Sequence, residues 1–251
     1  MRLTHLKSYK YKILATCANA TKIIMPNLTT IGGKVEPIVI LNNVKELHFP
    51  KLKKTSSQLC NQMSRCKLVF APELEEVTYT QGLTYQVLAK EFYFPKLKKT
   101  SSSIVSLAQT IKYINLDSLE ETSAILLGNI TMDSISLPKI HSVTQGLLGS
   151  TSKIPTIRLG DGTKDGVAGN IRMVSGTNTA LTTLTIAEGF KAKLNLTGCN
   201  GLEREVLVGI INNLADLTDE ASLNLIMGST LLAKLTDADK AIAQQKNWTL
   251  S

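Results

Sequence analysis

Aromatic residues are scarce in this chain of 251 residues, where Phe, Trp and Tyr together make up 5% and Trp occurs once. Long apolar runs are also missing, since none approaches the roughly 18 residues of a membrane-spanning helix. The hydrophobic content is nevertheless 43%, which is enough for a folded core. We therefore expect no transmembrane segment, and a core built mainly from Leu, Ile, Val and Ala, as in shallow layered or repetitive folds.

Cysteine spacing typical of metal sites is absent as well. Cys17, Cys60, Cys66 and Cys199 form no CxxC pair and have no His at zinc-finger distance. We interpret them as small core or turn residues. A disulfide between Cys60 and Cys66 is the minor alternative.

Catalytic motifs are missing too, because the chain has no GxSxG elbow, HExxH helix or GxxxxGK[ST] loop. The chain has three histidines, His5, His48 and His141. They do not occupy equivalent positions of the internal repeat that is described below, so we do not expect them to bind one metal ion together. Glu46 and Glu91 are two repeats apart, which does not suit a catalytic carboxylate pair. We therefore predict a protein that is not an enzyme and needs no cofactor or metal.

An internal repeat organises the first two thirds of the chain. The nine residues FPKLKKTSS occur at 49–57 and again at 94–102. The proline of this motif recurs every 21 to 24 residues, with one replacement by Asp. The equivalent positions are Pro26, Pro50, Pro72, Pro95, Asp117 and Pro138. A weaker seventh unit at 157–160 ends the series.

The residues before each proline position alternate in character. Positions one and three before it are apolar in all six units, as in Phe49 and Leu47. Such alternation over a few residues is typical of a short strand with one buried face. One strand per roughly 22 residues predicts a solenoid in which the strands stack as a parallel sheet. Leu52, Leu74 and Leu97, two residues after their prolines, should then be stacked neighbours.

Charged residues after the prolines form columns if equivalent positions stack at roughly 4.8 Å. The chain carries 28 Lys and Arg against 20 Asp and Glu, a net charge of +8. Three columns nevertheless alternate in sign. They are Lys51, Glu73 and Lys96; Lys53, Glu75, Lys98 and Glu120; and Lys54, Glu76, Lys99 and Glu121. This alternation predicts surface charge that sets the register, and it argues against nucleic-acid binding.

Two other sets of side chains are the candidate binding residues. One consists of lysines five residues before the proline position, and the other of a His and three aromatic residues at outward strand positions. They are Lys45, Lys67, Lys90 and Lys112, and His48, Phe70, Tyr93 and Tyr113. The lysines are either a solvated row that protects the sheet edge or a cationic rim for an anionic glycan or lipid head group. The aromatic residues are either an interface or a column that stabilises its own stack.

The pattern changes after residue 160. The segment DGTKDG at 161–166 resembles the start of a calcium loop, but Arg172 stands where that loop needs a bidentate Glu. We therefore expect a turn. Short strands are predicted at Leu184–Ile186 and Leu194–Leu196, on either side of a turn at Gly189.

The last part of the chain shows helical spacing at 202–214 and a strand candidate at Leu223–Met227. Thr236 and Asp239 have near capping-box spacing before a second helix, and the chain ends apolar at 248–250. A helix, strand, helix, strand unit would cover the last coil of a solenoid. We therefore divide the chain into a solenoid at 1–197 and an α+β cap at 198–251. Within the solenoid, the regular repeats cover about 21–160 and irregular coils cover 161–197.

The repeat FPxLxxT with its period resembles the BspA-like leucine-rich repeat family. The tail segments LxxIINNLADLT and LAKLTDADKAIAQQKNWTL are similar to the closing module of such proteins in gut anaerobes and their phages. The resemblance implies an α/β fold, a leucine-rich-repeat-like solenoid with an α+β cap. It also implies adhesion or partner binding, because the family has no known catalytic motif.

These observations predict a non-catalytic recognition or adhesion module that presents an extended face to a protein or glycan partner. The alternative is a virion or tail-associated structural protein of a phage, and a stable trimer would favour it over a monomeric glycan binder. The apolar run at 13–17 is shorter than the roughly seven residues that a signal peptide needs. No signal peptide is therefore evident, and we expect either a bacterial cell-surface or extracellular protein or a virion-associated one.

Overall fold

The structure is a computed structural model that describes residue 2 and residues 8–9, 19–32, 43–80, 82–104 and 109–251. Most of its strands are two to four residues long and pair in parallel with the equivalent strand of the next repeat. His5, Cys17 and the apolar run at 13–17 lie outside the described residues.

One sheet consists of the strands that precede the proline positions. Its five strands pair in parallel, so equivalent residues of successive repeats lie side by side. They are Lys22–Ile24, Glu46–His48, Leu68–Phe70, Glu91–Tyr93 and Tyr113–Asn115. The middle residue of each strand is buried and its neighbours are not, which confirms the predicted alternation. Later strands form a second parallel sheet of Ser134–Leu137, Thr156–Leu159 and Thr183–Thr185.

The chain turns at the proline positions and enters the longest sheet, which has 12 strands. A proline suits the end of a strand because its ring fixes φ and the missing N–H group is not needed there. All of the pairs in this sheet are parallel except for one antiparallel hairpin. The strands are Ser8–Tyr9, Thr30–Ile31, Lys54–Thr55, Glu76–Val77, Lys99–Thr100, Glu121–Thr122, Ser142–Val143, Thr163–Lys164, Val167–Arg172, Ala192–Asn195, Leu223–Ile226 and Trp248–Leu250.

The threonines of this sheet are buried although they are polar. Thr55, Thr100 and Thr122 are each at most 3% exposed. Each hydroxyl donates to the backbone carbonyl two residues further on, over 2.8, 2.9 and 3.2 Å. This local bond satisfies the hydroxyl inside the core, so the recurring Thr is compatible with burial.

Short strands close the third side of the repeats. They pair as Cys60–Met63 with Thr84–Val87, Gln109–Thr110 with Ile130–Thr131, and Ile125–Leu127 with Gly146–Gly149 and Val174–Ser175. The core lies between the sheets, where Leu59, Met63 and Leu83 are fully buried. Leu88 is 43% exposed.

The leucines of the predicted stack lie at equivalent places of successive repeats. Leu52, Leu74 and Leu97 are all fully buried. The residues that follow them are joined by backbone hydrogen bonds of 2.8 and 2.9 Å from one repeat to the next. The described chain is thus an α/β protein of mostly parallel strands in stacked sheets with few helices, which is consistent with a stacked parallel solenoid.

The segment DGTKDG forms a tight hairpin, as predicted for a turn. Thr163–Lys164 pairs antiparallel with the start of the strand Val167–Arg172. Asp165 and Gly166 between them have φ values of +52° and +79°. Two successive residues with positive φ form a type I′ turn, whose backbone twist matches that of the paired strands. Asp-Gly is a preferred sequence for this turn.

The C-terminal segment contains three helices, α1 (Arg204–Asn213), α2 (Gly228–Leu232) and α3 (Asp237–Gln245). The predicted helix at 202–214 and the capping box before α3 are confirmed. In that box the Thr236 hydroxyl accepts from the Asp239 backbone N–H over 3.2 Å. The Thr236 backbone N–H in turn donates to the Asp239 carboxylate over 2.8 Å. The short helix α2 was not predicted.

The strands of this segment extend the long sheet, with Leu225 beside Leu194 and Trp248 beside Leu223. Ile210, Ile211, Leu214 and Trp248 are each at most 2% exposed, as predicted for a covering module. The boundary between 197 and 198 stays a prediction. None of the described helices is long and apolar enough to cross a membrane.

Candidate binding groove

The four candidate lysines form one column along the edge of the five-stranded sheet. Each strand begins at the residue after its lysine, as the sequence predicts, so the lysines stand outside the alternation and are exposed. Backbone N–H to carbonyl bonds of 2.7, 3.0 and 2.8 Å connect each to the one before it. We call Lys45, Lys67, Lys90 and Lys112 the lysine column.

The charges of the lysine column are only partly balanced. Lys112 Nζ lies 3.6 Å from a carboxylate oxygen of Glu91. Lys90 donates to the backbone carbonyl of Thr110 over 3.1 Å, and no acid that the structure describes lies at ion-pair distance from it. Within the described ranges, no acid lies at ion-pair distance from Lys45 or Lys67. The column is therefore a row of like charges at the spacing of neighbouring strands, roughly 4.8 Å.

A groove of about 680 Å³ runs along the lysine column. Five Lys or Arg side chains and one Glu line it, so the groove is strongly cationic. Its walls also include Leu88, which gives it an apolar patch. The lining residues are Lys45, Ser64, Arg65, Cys66, Lys67, Leu88, Lys90, Glu91, Thr110 and Lys112.

Cys66 contributes packing to the groove rather than a reactive thiol. The residue is buried, and its thiol donates to the backbone carbonyl of Leu68 over 3.5 Å. Burial raises the pKa of the Cys66 thiol to about 12. The nucleophilic thiolate is therefore essentially unpopulated at neutral pH. Cys60, Cys66 and Cys199 are free and buried, so the alternative of a disulfide between Cys60 and Cys66 is wrong.

The register divides the outward aromatic residues between two columns. His48, Phe70 and Tyr93 lie side by side, and the next place in that column is held by Asn115. Tyr113 pairs with Glu91 instead, so it belongs to the column nearer the lysines. The period predicts this register, since Tyr113 and Glu91 both stand four residues before their proline positions.

The column of His48, Phe70 and Tyr93 packs against itself. The Phe70 and Tyr93 rings are stacked with centroids 5.2 Å apart and planes 6° apart, and His48 lies 5.4 Å from Phe70. Because neighbouring rings cover one another's faces, this geometry favours the interpretation in which the column stabilises its own stack. Tyr113 differs, since it is 46% exposed.

His48 and Glu46 form a small polar cluster beside these rings. Glu46 lies 2.7 Å from Lys22 and 2.9 Å from His48 Nε2. The hydrogen bond from Lys22 and, next, that from His48 lower the pKa of the Glu46 carboxyl. The acid is thus already paired within the protein and does not offset the lysine column.

The columns on the neighbouring sheet alternate in sign, as the sequence predicts. Lys54 lies 2.8 Å from Glu76, and Lys99 lies 3.0 Å from Glu121. The hydrogen bond to Glu76 raises the pKa of Lys54, and the bond to Glu121 does the same for Lys99. Charge on this face is thus neutralised locally.

A second group of side chains escaped the sequence analysis. Glu120, Glu121 and His141 place one ligand atom each within 4.8 Å of one another. His141 lies beside acids of the preceding repeat. The signal was present in the alternation, because His141 takes the next place after Lys53, Glu75, Lys98 and Glu120 in their column.

No protein-family model matches the chain, and neither a curated protein nor a solved structure shows significant similarity to it.

Proposed function

We propose that this protein is a non-catalytic recognition module, a leucine-rich-repeat-like solenoid of the BspA-like type, that binds an acidic glycan along the lysine column. The observation that carries the proposal is the like-charged column itself. In the same repeats, Lys54 and Lys99 have acidic neighbours within 3.0 Å. The lysine column keeps one sign through four successive repeats.

Like charges on directly neighbouring strands are destabilising. Alternation in three other columns shows that this sequence readily places acids opposite lysines, and the lysine column lacks this compensation at Lys45 and Lys67. A ligand with several negative charges would supply it on binding. The four lysines span roughly 14 Å at the spacing of neighbouring strands, which suits a linear polyanion.

An acidic glycan suits the groove better than a polyanion without apolar surface, because the groove has apolar surface as well as charge. Leu88 lines it, and Tyr113 follows Lys112 directly with 46% of its surface exposed. Sugar rings present C–H faces that pack on apolar side chains, while carboxylate or sulfate groups pair with lysines. The sheet fixes the backbone of the lysine column before binding, so the conformational entropy lost on binding is that of the side chains alone.

The experiment is calorimetric titration with a heparin hexasaccharide, with uncharged dextran as the neutral probe. The variant Lys67→Gln/Lys90→Gln removes two charges from the lysine column. The control Lys53→Gln/Lys98→Gln removes two charges from an alternating column, so the net charge is equal in both. We expect the lysine-column variant to bind at least about tenfold more weakly, and the control to bind within about threefold of the wild type, since a factor of ten is only ~1.4 kcal/mol.

Binding should also weaken with added salt, because exposed charges are screened. Equal losses in the two variants would show that net charge alone attracts the ligand and would refute the groove. A stable trimer that binds no glycan would favour the virion structural protein instead.

A further inference from the structure

The group formed by Glu120, Glu121 and His141 lies where the regular repeats meet the irregular coils. His141 is hydrogen-bonded to Glu120 through the backbone, N–H to carbonyl, over 3.0 Å. Its Nε2 atom lies 3.9 Å from a carboxylate oxygen of Glu121. The third ligand atom, from Glu120, is within 4.8 Å of both.

The imidazole of His141 is held in an unusual state. The residue is 8% exposed, and its Nε2 atom is buried without a hydrogen-bond partner among the described residues. Leaving a buried polar atom unsatisfied is costly, so such an atom calls for an explanation. Its closest acidic neighbour, at 3.9 Å, is too far for a hydrogen bond but well placed to share an ion.

The surroundings are acidic although the protein carries a net charge of +8. A pocket of about 510 Å³ next to the group is lined by Glu120, Asp161 and Asp165 against Lys139 and Lys164. Glu121 adds a further carboxylate next to this pocket.

Two lysines contact this group: Lys99 lies 3.0 Å from Glu121 alone, and Lys164 contacts both carboxylates. The Lys164 Nζ atom lies 3.7 Å from Glu120 and 3.6 Å from Glu121, and the tight hairpin at 163–168 carries it there. These contacts are too long for strong hydrogen bonds. Gly169 packs directly against the His141 backbone, where a Cβ atom would clash with the His141 carbonyl oxygen, so this position requires glycine.

We propose that Glu120, Glu121 and His141 bind a divalent transition metal ion of the Zn²⁺ class, which displaces Lys164 from the two carboxylates. One imidazole nitrogen and two carboxylate oxygens suit Zn²⁺, Mn²⁺, Fe²⁺ or Co²⁺, whereas Ca²⁺ and Mg²⁺ prefer oxygen ligands alone. Ligands of a tetrahedral Zn²⁺ lie roughly 3.4 Å from one another. The present separation of 3.9 Å between His141 and Glu121 closes to that value with a small side-chain adjustment. The site does not rest on the proposed glycan binding.

The test is titration of the full chain with Zn²⁺ after treatment with EDTA, followed by calorimetry, with Ca²⁺ as the comparison ion. Visible absorption of Co²⁺ in place of Zn²⁺ reports ligation directly. We expect one Zn²⁺ per chain and clear preference over Ca²⁺. His141→Gln and Glu121→Gln should each weaken Zn²⁺ binding at least tenfold.

The matched control is His48→Gln, because His48 also lies beside a glutamate, at 2.9 Å. It should leave the affinity for Zn²⁺ unchanged. Lys164→Gln should tighten binding severalfold, since it removes the competing cation, and this variant alters only an exposed side chain of the hairpin. No binding to the wild type, equal loss in the His48 and His141 variants, or unchanged affinity in Lys164→Gln would each overturn the proposal.

Discussion

In the regular repeats, the same kind of contact occurs again from one repeat to the next, whereas the contacts of the C-terminal segment occur once. The pairs Lys54 with Glu76 and Lys99 with Glu121 are equivalent, and each joins neighbouring repeats over 2.8 to 3.0 Å. The side chains of these pairs are between 32% and 62% exposed. Each pair therefore contributes little by itself, and the register depends on their number.

The C-terminal segment instead concentrates its polar contacts at a few residues. Lys246, after α3, donates to the backbone carbonyls of Asn212 and Leu214 over 2.6 and 2.9 Å, at the C-terminal end of α1. A cation at that end of a helix also interacts favourably with the helix dipole. Arg204 binds Asp239 through two hydrogen bonds of 2.9 and 2.8 Å. A single substitution at Lys246 or Arg204 thus removes at least two hydrogen bonds at once.

The largest loss of stability is expected for Trp248→Ala, because Trp248 makes contacts of the C-terminal segment that no other residue repeats. The Trp248 side chain is 2% exposed, and its Nε1 donates to the Ala215 carbonyl over 2.9 Å. We expect the free energy of unfolding to fall by about 3–5 kcal/mol, because the change leaves a cavity. Calorimetric melting checks the prediction, with Trp248→Phe as the control that keeps much of the ring volume. A loss below about 1 kcal/mol would show that the segment contributes little to the stability of the long sheet.

A smaller effect is expected for Asp239→Asn, and its size depends on pH. The hydrogen bond from Arg204 and, next, those from Thr236 lower the pKa of Asp239 to about 2. Because the unfolded value is about 3.9, the ionised carboxyl contributes its full stabilisation above roughly pH 4 and loses it as the pH falls towards 2. The variant should melt earlier than the wild type at neutral pH, and the difference should shrink in acid.

The control for this pH dependence is Asp237→Asn in the same helix, since the Asp237 side chain is fully exposed. It removes the same charge without the contacts to Arg204. Melting temperatures measured across the acid range compare the two variants. If the melting temperatures of both variants changed with pH in the same way, the ion pair between Arg204 and Asp239 would not be the cause of the pH dependence.

The smallest effects should come from the charge columns of the repeats. Glu76 lies between Lys54 and Lys99, so Glu76→Lys makes three neighbouring lysines. We expect the melting temperature to fall by about 2–4 °C at low salt and by less at high salt. The reciprocal change Lys67→Glu, which places an acid between Lys45 and Lys90, should raise it slightly at low salt. If both changes shift the melting temperature at low salt in the same direction, the order of charges along a column does not determine its contribution to stability.

Several local features were predictable because they depend on residues close in sequence or one period apart. The strands begin directly after Lys45, Lys67 and their equivalents because alternation would otherwise bury a charge. The capping box at Thr236 needs only a spacing of three residues. The alternating columns follow from the period once the strands are parallel.

The amino-acid sequence by itself determined the period, the buried face of each strand, the order of charges in each column and the presence of the two longer helices. The tertiary structure alone decided which groups meet around His141, because Lys164 reaches Glu120 and Glu121 from a hairpin that interrupts the period. It also decided how the rings of Phe70 and Tyr93 stack, with centroids 5.2 Å apart, because ring orientation depends on the side-chain rotamers. Contacts of this kind depend on the exact path of an irregular turn and on side-chain rotamers, and neither is encoded in a pattern of neighbouring residues.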